Sequence, residues 1–186
     1  MRVVLVQSNS HLTGRRAAAA ALAGAALTAV CAQIGFHLPG NPVPVTLQVF
    51  AVILCGMMLG GKLGAISQIQ YLAAGALGAP VFAGFRGGIG ALAGPTGGYL
   101  VGFVFAAYVV GAMADRTRRG SFAGLCLAGF TGVLVIYVFG RAWLGLWLGN
   151  VSGLASWALG VAPFVAIDAV KVLAAAAICG RRAWWT

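Results

Sequence analysis

Two residues of opposite charge, Asp168 and Lys171, lie in an otherwise apolar stretch near the C-terminus. Their i, i+3 spacing places them on one face of a helix. An ionised aspartate only accepts hydrogen bonds and a lysine only donates them, so together they can hold a group that displays both N–H and C=O, such as an amide or a urea. The alternative is a salt bridge that neutralises itself or joins two helices.

Four further polar residues could complete a ligand site around this pair. Thr46 and Gln48 follow a proline-rich segment, where their side chains either contact a ligand or cap the next helix. Tyr99 follows a run of glycines that either lets a ligand approach the backbone closely or simply forms a turn. Arg86 lies in a glycine-rich connection, either as the partner of a ligand carboxylate or as a solvated loop charge.

The composition indicates which elements must position these residues. Of the 186 residues, 61% are hydrophobic and 8% are charged, and the only acidic residues are Asp115 and Asp168. A soluble domain carries about 25% charged residues, so a soluble enzyme and a nucleic-acid-binding domain are excluded. The formal net charge of +10 fits basic loops that orient a membrane protein. The sequence therefore predicts an all-α integral membrane protein.

Six apolar runs, separated by glycine, proline or charge, predict a bundle of six transmembrane helices. The second run is short and must tilt or pack against its neighbours. The runs form one six-helix membrane domain at 17–182, between a cytoplasmic N-terminal tail at 1–16 and a C-terminal tail at 183–186. The predicted spans are 17–36, 46–59, 63–78, 97–114, 121–140 and 159–179.

The basic residues indicate the orientation of this bundle. With the N-terminus in the cytoplasm, nine Lys and Arg fall on the cytoplasmic side, Arg86 and Arg141 fall outside, and Lys171 stays inside the last span. This segregation follows the positive-inside rule and places both termini in the cytoplasm. The loops after the first, third and fifth spans then face outward, and irregular backbone at such depth is tolerated where it lines a cavity. We therefore expect a ligand cavity that opens outward.

Small residues form a stripe along the first predicted span. Ala17, Ala21 and Ala25 recur every four residues and continue to Ala29. Small residues at this spacing let another helix approach closely. The stripe therefore predicts either a docking face for another membrane subunit or ordinary packing inside the bundle.

We assign no catalytic or metal-binding residue. Intramembrane hydrolysis would need a second carboxylate, a histidine or metal cluster, or a nucleophile–base pair, and the spans contain none of these. The four cysteines stand singly, without metal-ligand spacing. The chain is therefore expected to be neither an enzyme nor dependent on a cofactor.

Several motifs, in order and with matching gaps, resemble the BioY family, the biotin-specific S components of energy-coupling factor (ECF) transporters. The most specific are GPTGGYL at 94–100 with GF at 102–103, and Asp168-x-x-Lys171 after PF at 163–164. The resemblance covers nearly the whole chain from residue 17 and leaves the first 16 residues outside. The other matching segments are PVPVTLQ at 42–48, FAV at 50–52, Gly60 with LGA at 63–65, and GAPVF at 78–82.

The resemblance implies a six-helix subunit of the bacterial inner (plasma) membrane that captures biotin from outside the cell for uptake. In the family pattern, Asp168 and Lys171 match the last-helix pair that contacts the biotin head. The glycine-rich loop and Tyr99 would wall the ligand, and Arg86 would meet the valerate carboxylate. Family members associate with a transmembrane coupling protein and a pair of ABC-type ATPases, and some function without them. The alanine stripe resembles the motif that docks on the coupling protein.

The alternative function is a small ion-coupled transporter or channel for another small molecule. Such a protein would carry an intramembrane carboxylate without a neutralising lysine one turn away. The chain has no Walker A motif. ATP-driven uptake would therefore require another polypeptide to hydrolyse the ATP.

Overall fold

A computed structural model describes residues 14–117, 121–149 and 153–182, and this part of the chain is mostly helical. Within these described ranges, five stretches are long and apolar enough to cross a membrane: Gly14–Gln33, Gln48–Ala76, Gly97–Ala114, Phe122–Trp147 and Trp157–Gly180. The elements are α1 (Gly14–Gln33), β1 (Gly35–Phe36), β2 (Val45–Thr46), α2 (Gln48–Ala76), α3 (Ile89–Leu92), α4 (Gly97–Ala114), α5 (Phe122–Trp147), α6 (Gly153–Gly160) and α7 (Val165–Arg182).

The helix α2 is interrupted at Gly60, which adopts φ 79° and ψ 172°. A Cβ on Gly64 would lie 3.1 Å from the Cα of Gly56, and Gln48 Nε2 lies 2.7 Å from Tyr71 Oη. In a straight helix the latter two residues would be about 35 Å apart. The chain therefore reverses at Gly60, between the predicted spans 46–59 and 63–78, and α2 consists of two antiparallel arms at 48–59 and 61–76.

Several element boundaries differ from the prediction. The exposed Arg141 does not end α5, which continues to Trp147 and stops where Gly149 takes a positive φ of 82°, a common helix C-terminus. The last helix begins at Val165 rather than at 159, after a turn at 161–164 that contains Pro163. Residues 153–160 form the separate helix α6. The short strands β1 and β2, which pair antiparallel, and the helix α3 were not predicted.

Glycines bring α4 close to both of its neighbours. A Cβ on Gly111 would overlap the backbone of Gly60 and Gly61 at the reversal of α2, and a Cβ on Gly102 would lie 3.2 Å from the Cα of Ile136 on α5. Small residues permit this close approach of apolar helices. Because Gly111 meets the α2 reversal, Lys62 and Arg116 lie near one end of the bundle. The segments at 43–46, 82–86 and 96–99 lie toward the other end.

The alanine stripe of α1 is fully buried at Ala21 and half-buried at its other positions. Ala21 is fully buried, with 0% of its surface exposed, and Ala25 and Ala29 are half-buried against the core. Ala17 is also half-buried. Ala21 is therefore unavailable to a partner helix, because α1 already uses that side to pack on α2.

Candidate functional site

A cavity of about 650 Å³, counted with its open mouth, lies at the end of the bundle opposite Lys62. The cavity is bounded by β2, the starts of α2, α4 and α7, the middle of α5, and the loop at 77–88, which we call the lid loop. Its lining includes all six predicted ligand-site residues, Thr46, Gln48, Arg86, Tyr99, Asp168 and Lys171.

Asp168 lies in the first turn of α7 and is 2% exposed. Its Oδ1 accepts a hydrogen bond from Lys171 Nζ at 2.7 Å, and its Oδ2 accepts one from Tyr137 Oη at 2.7 Å. A carboxylate near a helix N-terminus is also favoured by the helix dipole. The later start of α7 therefore places Asp168 closer to the helix N-terminus than the sequence predicted.

Lys171 is 7% exposed and spans the gap between α7 and β2. Its Nζ donates to the backbone carbonyl of Thr46 at 2.7 Å as well as to Asp168. An ammonium group has three N–H donors and a carboxylate has about four lone-pair positions. After the contacts made within the described residues, the pair retains one donor on Lys171 and acceptor capacity on both oxygens of Asp168.

Thr46 and Gln48 form the part of the cavity wall that faces the lid loop. The Thr46 hydroxyl donates to Gln48 Oε1 at 2.8 Å, and Gln48 Nε2 donates to Tyr71 Oη at 2.7 Å. Leu47, not Thr46, occupies the N-cap position of α2, because Thr46 belongs to β2. Both side chains are therefore held at the cavity by hydrogen bonds to other side chains.

Tyr99 lines the cavity, and its hydroxyl joins two helices of the bundle. Its Oη donates to the backbone carbonyl of Gly160 at 2.8 Å, which fixes the end of α6 beside the start of α4. A Cβ on Gly140 would overlap the Tyr99 ring, so α5 approaches the ring closely. Trp143 Nε1 donates to the Gly94 carbonyl at 2.8 Å and holds the glycine-rich segment in place.

Arg86 lies in the lid loop and is exposed. Its Nε donates to the Ala83 carbonyl at 3.3 Å, and its own carbonyl accepts from the Phe82 amide at 2.9 Å. Because Arg86 is both exposed and part of the lining, we place its guanidinium group at the mouth of the cavity. Its remaining N–H groups are sufficient to bind a carboxylate.

The prediction from sequence missed Tyr137 and the apolar walls. Tyr137 is half-buried on α5 and bonds Asp168 across 31 positions of sequence. A hydroxyl within an apolar span was the available signal, because such groups seek a partner when buried. The apolar lining is contributed by buried core residues, Val43, Phe82, Leu100, Phe103, Ile136 and Phe164.

No group of three or more His, Cys, Asp or Glu side chains within the described ranges lies close enough to hold a metal ion. The polar side chains of the cavity lining carry hydroxyls, the Gln48 amide, the Asp168–Lys171 ion pair and the Arg86 guanidinium, which suit an organic ligand with hydrogen-bonding groups.

The sequence matches the model of the BioY family over residues 7–185. The chain belongs to the BioY family. The match begins within the tail at 1–16 that the motifs had left outside the resemblance, in keeping with the start of α1 at Gly14. This BioY member is 45% identical over 156 residues to the probable biotin transporter BioY of Pyrococcus horikoshii, covering 84% of this chain and 89% of that protein.

A second relative supports the assignment to BioY, and a solved structure shows the fold. The biotin transporter BioY of Thermotoga maritima is 42% identical over 144 residues, covering 77% of this chain and 83% of that protein. A crystal structure at 2.1 Å of the S-component for biotin from an ECF-type ABC transporter superposes with a TM-score of 0.81. The superposition covers 91% of this chain and 93% of the crystallised chain, and the two sequences are 24% identical. The chain is thus a multi-pass membrane protein with the fold of that S-component.

Proposed function

We propose that this chain is a substrate-binding membrane subunit that captures biotin from outside the cell for uptake through an ECF transporter. The observation that carries the proposal is the Asp168–Lys171 pair, whose charges meet at 2.7 Å in a cavity with mostly apolar walls. The transporters named for biotin among the relatives support this choice of ligand. The chain acts by binding and contains no proposed catalytic residue.

The chemistry of biotin suits the hydrogen-bonding capacity of this cavity. The N–H groups of the cyclic urea can donate hydrogen bonds to Asp168. Its carbonyl can accept a hydrogen bond from the remaining N–H of Lys171. The apolar ring and the methylene chain match the aromatic and aliphatic walls, and burying them is favourable by about 25 cal/mol per Å². Arg86 at the cavity mouth is the proposed partner of the valerate carboxylate.

The ion-coupled alternative is disfavoured by the same pair. A carboxylate that carries coupling ions must be able to change its charge or its ligands during transport. Asp168 instead has a lysine on one oxygen and a tyrosine hydroxyl on the other. Both charges of the pair are therefore satisfied by fixed partners.

A first prediction concerns ligand choice by the purified chain in lipid nanodiscs. We expect biotin and desthiobiotin, which share the cyclic urea, to bind with similar affinity in a calorimetric titration. Protonated 2-iminobiotin replaces the urea carbonyl by a cationic N–H donor, so it leaves Lys171 without an acceptor and should bind at least about tenfold more weakly. Equal affinity for 2-iminobiotin, or no binding of biotin, would contradict the proposal.

We also propose six membrane crossings, both termini in the cytoplasm, and a location in the plasma membrane. The two antiparallel arms of α2 support the crossing count, since they join at Gly60 next to the basic residues Lys62 and Arg116. The cavity lies at the opposite end with Arg86. The positive-inside rule then places the cavity on the outer side.

A second prediction tests this orientation by cysteine labelling. In a variant whose four native cysteines are replaced by alanine, a single cysteine at Lys62 should react with a membrane-impermeant maleimide only after the cells are opened. A single cysteine at Phe85, which is 71% exposed in the lid loop, should react on intact cells. The reverse labelling pattern would refute the orientation.

Energy coupling is proposed to come from other polypeptides, a transmembrane coupling protein and ABC-type ATPases. The chain contains no Walker A motif, and its fold is shared with an S-component of an ECF-type ABC transporter. Docking would use the outer side of α1, where Ala17 and Ala25 lie at the edge of the buried stripe. Uptake of biotin by cells that lack these partners would show that the chain functions without them.

A further inference from the structure

The lid loop, residues 77–88, carries three of the cavity-lining residues, Phe82, Ala83 and Arg86. It contains left-handed backbone at Gly78, Gly84 and Gly88 and also at Phe85, with φ 56°. A positive φ is uncommon for a bulky residue and requires support from the surroundings. The conformation of this loop therefore depends on contacts with the rest of the protein, and these contacts can be traced.

A continuous set of hydrogen bonds connects the lid loop to the ion pair. Gln48 Nε2 donates to Tyr71 Oη at 2.7 Å, and Tyr71 Oη donates to the Val81 carbonyl in the lid loop at 3.1 Å. Gln48 in turn accepts from Thr46, whose carbonyl accepts from Lys171. Tyr71 is thus the single side chain in this series that contacts both the cavity wall and the lid loop.

The ring of Tyr71 makes a separate, apolar contact with the same loop. It meets the Phe82 ring edge to face, with centroids 5.5 Å apart and an interplanar angle of 86°. Tyr71 is 1% exposed and Phe82 is 3% exposed. Tyr71 itself is not among the residues that line the cavity. Removing its hydroxyl therefore deletes no atom of a cavity-lining residue and keeps both rings in contact.

We propose that Tyr71 is a positioning residue whose hydroxyl holds the lid loop over the cavity and sets the rate at which bound ligand leaves. This inference rests on the proposed function for the identity of the ligand, biotin. When the hydroxyl is absent, Gln48 loses its acceptor and Val81 loses its nearer donor, so the closed position of the loop is less favoured. Opening of such loops controls ligand exchange in many binding sites.

A second contact keeps the loop folded when the Tyr71 hydroxyl is removed. Gln33 at the end of α1 donates to the carbonyls of Val81 at 3.4 Å and Phe82 at 3.1 Å, and its Oε1 accepts from the Phe85 amide at 3.0 Å. The Val81 carbonyl therefore retains a donor in Tyr71→Phe. The substitution is expected to change the loop's opening and not the fold.

The test compares Tyr71→Phe with Tyr108→Phe, which removes a hydroxyl from a half-exposed tyrosine on α4. Both are prepared as full chains in nanodiscs and studied by hydrogen–deuterium exchange and by chase of radiolabelled biotin. In Tyr71→Phe we expect amides of the lid loop to exchange about tenfold faster, and biotin to dissociate about tenfold faster without a slower association. Exchange in α4 and α5 should match the wild type, as should every measurement on Tyr108→Phe.

The outcomes separate this proposal from the proposed function. Unchanged lid-loop exchange in Tyr71→Phe overturns the role of Tyr71, whether or not biotin binds. Loss of affinity through slower association alone also overturns it, because that result indicates a damaged site and not a released loop. Absence of biotin binding to the wild type overturns the proposed ligand, while the exchange measurement still decides the role of Tyr71. As a second variant, Gln33→Leu should speed lid-loop exchange in the same direction.

Discussion

Replacement of Lys171 by methionine is expected to weaken biotin binding by about 1–3 kcal/mol, a roughly 5- to 150-fold increase in Kd. The variant removes the donor proposed for the urea carbonyl and leaves Asp168, which is 2% exposed, with Tyr137 as its remaining partner among the described residues. Asp168→Asn should weaken binding by a similar amount, because it leaves the buried ammonium without its counter-charge. Titration calorimetry on purified variants measures both effects.

Stability must be separated from binding in these variants, since removing one partner of a buried ion pair costs about 3–5 kcal/mol of folding stability. The double variant Asp168→Asn, Lys171→Met removes both charges and should recover most of the thermal stability without recovering biotin binding. Lys62→Met and Asp115→Asn replace the other lysine and the other acidic residue of the chain, and both should bind biotin normally. Recovered binding in the double variant would refute the site assignment.

Replacement of Gly111 by alanine is expected to destabilise the bundle by about 1–3 kcal/mol or more. The new methyl group would overlap the backbone of Gly60 and lie 2.6 Å from the Cα of Gly61. Backbone at a chain reversal cannot move aside as the end of a flexible side chain can. We therefore expect α4 to move away from α2, so that the second arm of α2 loses packing contacts.

The thermal midpoint measures this effect, with a thiol-reactive dye that reports exposure of the buried Cys31 and Cys55. Gly111→Ala should lower the midpoint by about 2 °C or more. Gly90→Ala is the matched control, because nothing lies within 4 Å of its added Cβ and its φ is not positive. Equal midpoints for the two variants would show that the helices accommodate the methyl group.

Local patterns in the sequence were sufficient to predict that the protein lies in a membrane, where most helices run, and that the second and third spans separate at Gly60. They also placed Asp168 and Lys171 together, since an i, i+3 spacing on one helix fixes the distance between two side chains. The predicted span at 97–114 coincides with α4. These features depend on composition and on contacts within a few residues, which a single sequence records directly.

The helix ends near residues 141–165 were predicted less well. The predicted fifth span ends before Arg141, yet Arg141 lies on the exposed side of α5 and the helix continues to Trp147. A charge ends a membrane helix only if it cannot reach the interface, and long side chains near helix ends do reach it. The alanine stripe was equally ambiguous, because small residues suit both internal packing and docking; Ala21 is buried in the interior, whereas Ala17 and Ala25 are half-buried and docking through them stays a prediction.

The sequence by itself determined that this protein is a helical membrane protein of BioY type with an ion pair on its last helix. Only the tertiary structure brought Tyr137 to Asp168 across 31 positions, Thr46 to Lys171 across 125, and Tyr71 between Gln48 and the lid loop. These contacts depend on how each helix is rotated about its axis and how closely glycines let it approach its neighbours. Hydrophobic periodicity is weak in helices that are apolar on every side, so the sequence did not reveal which polar side chains would meet.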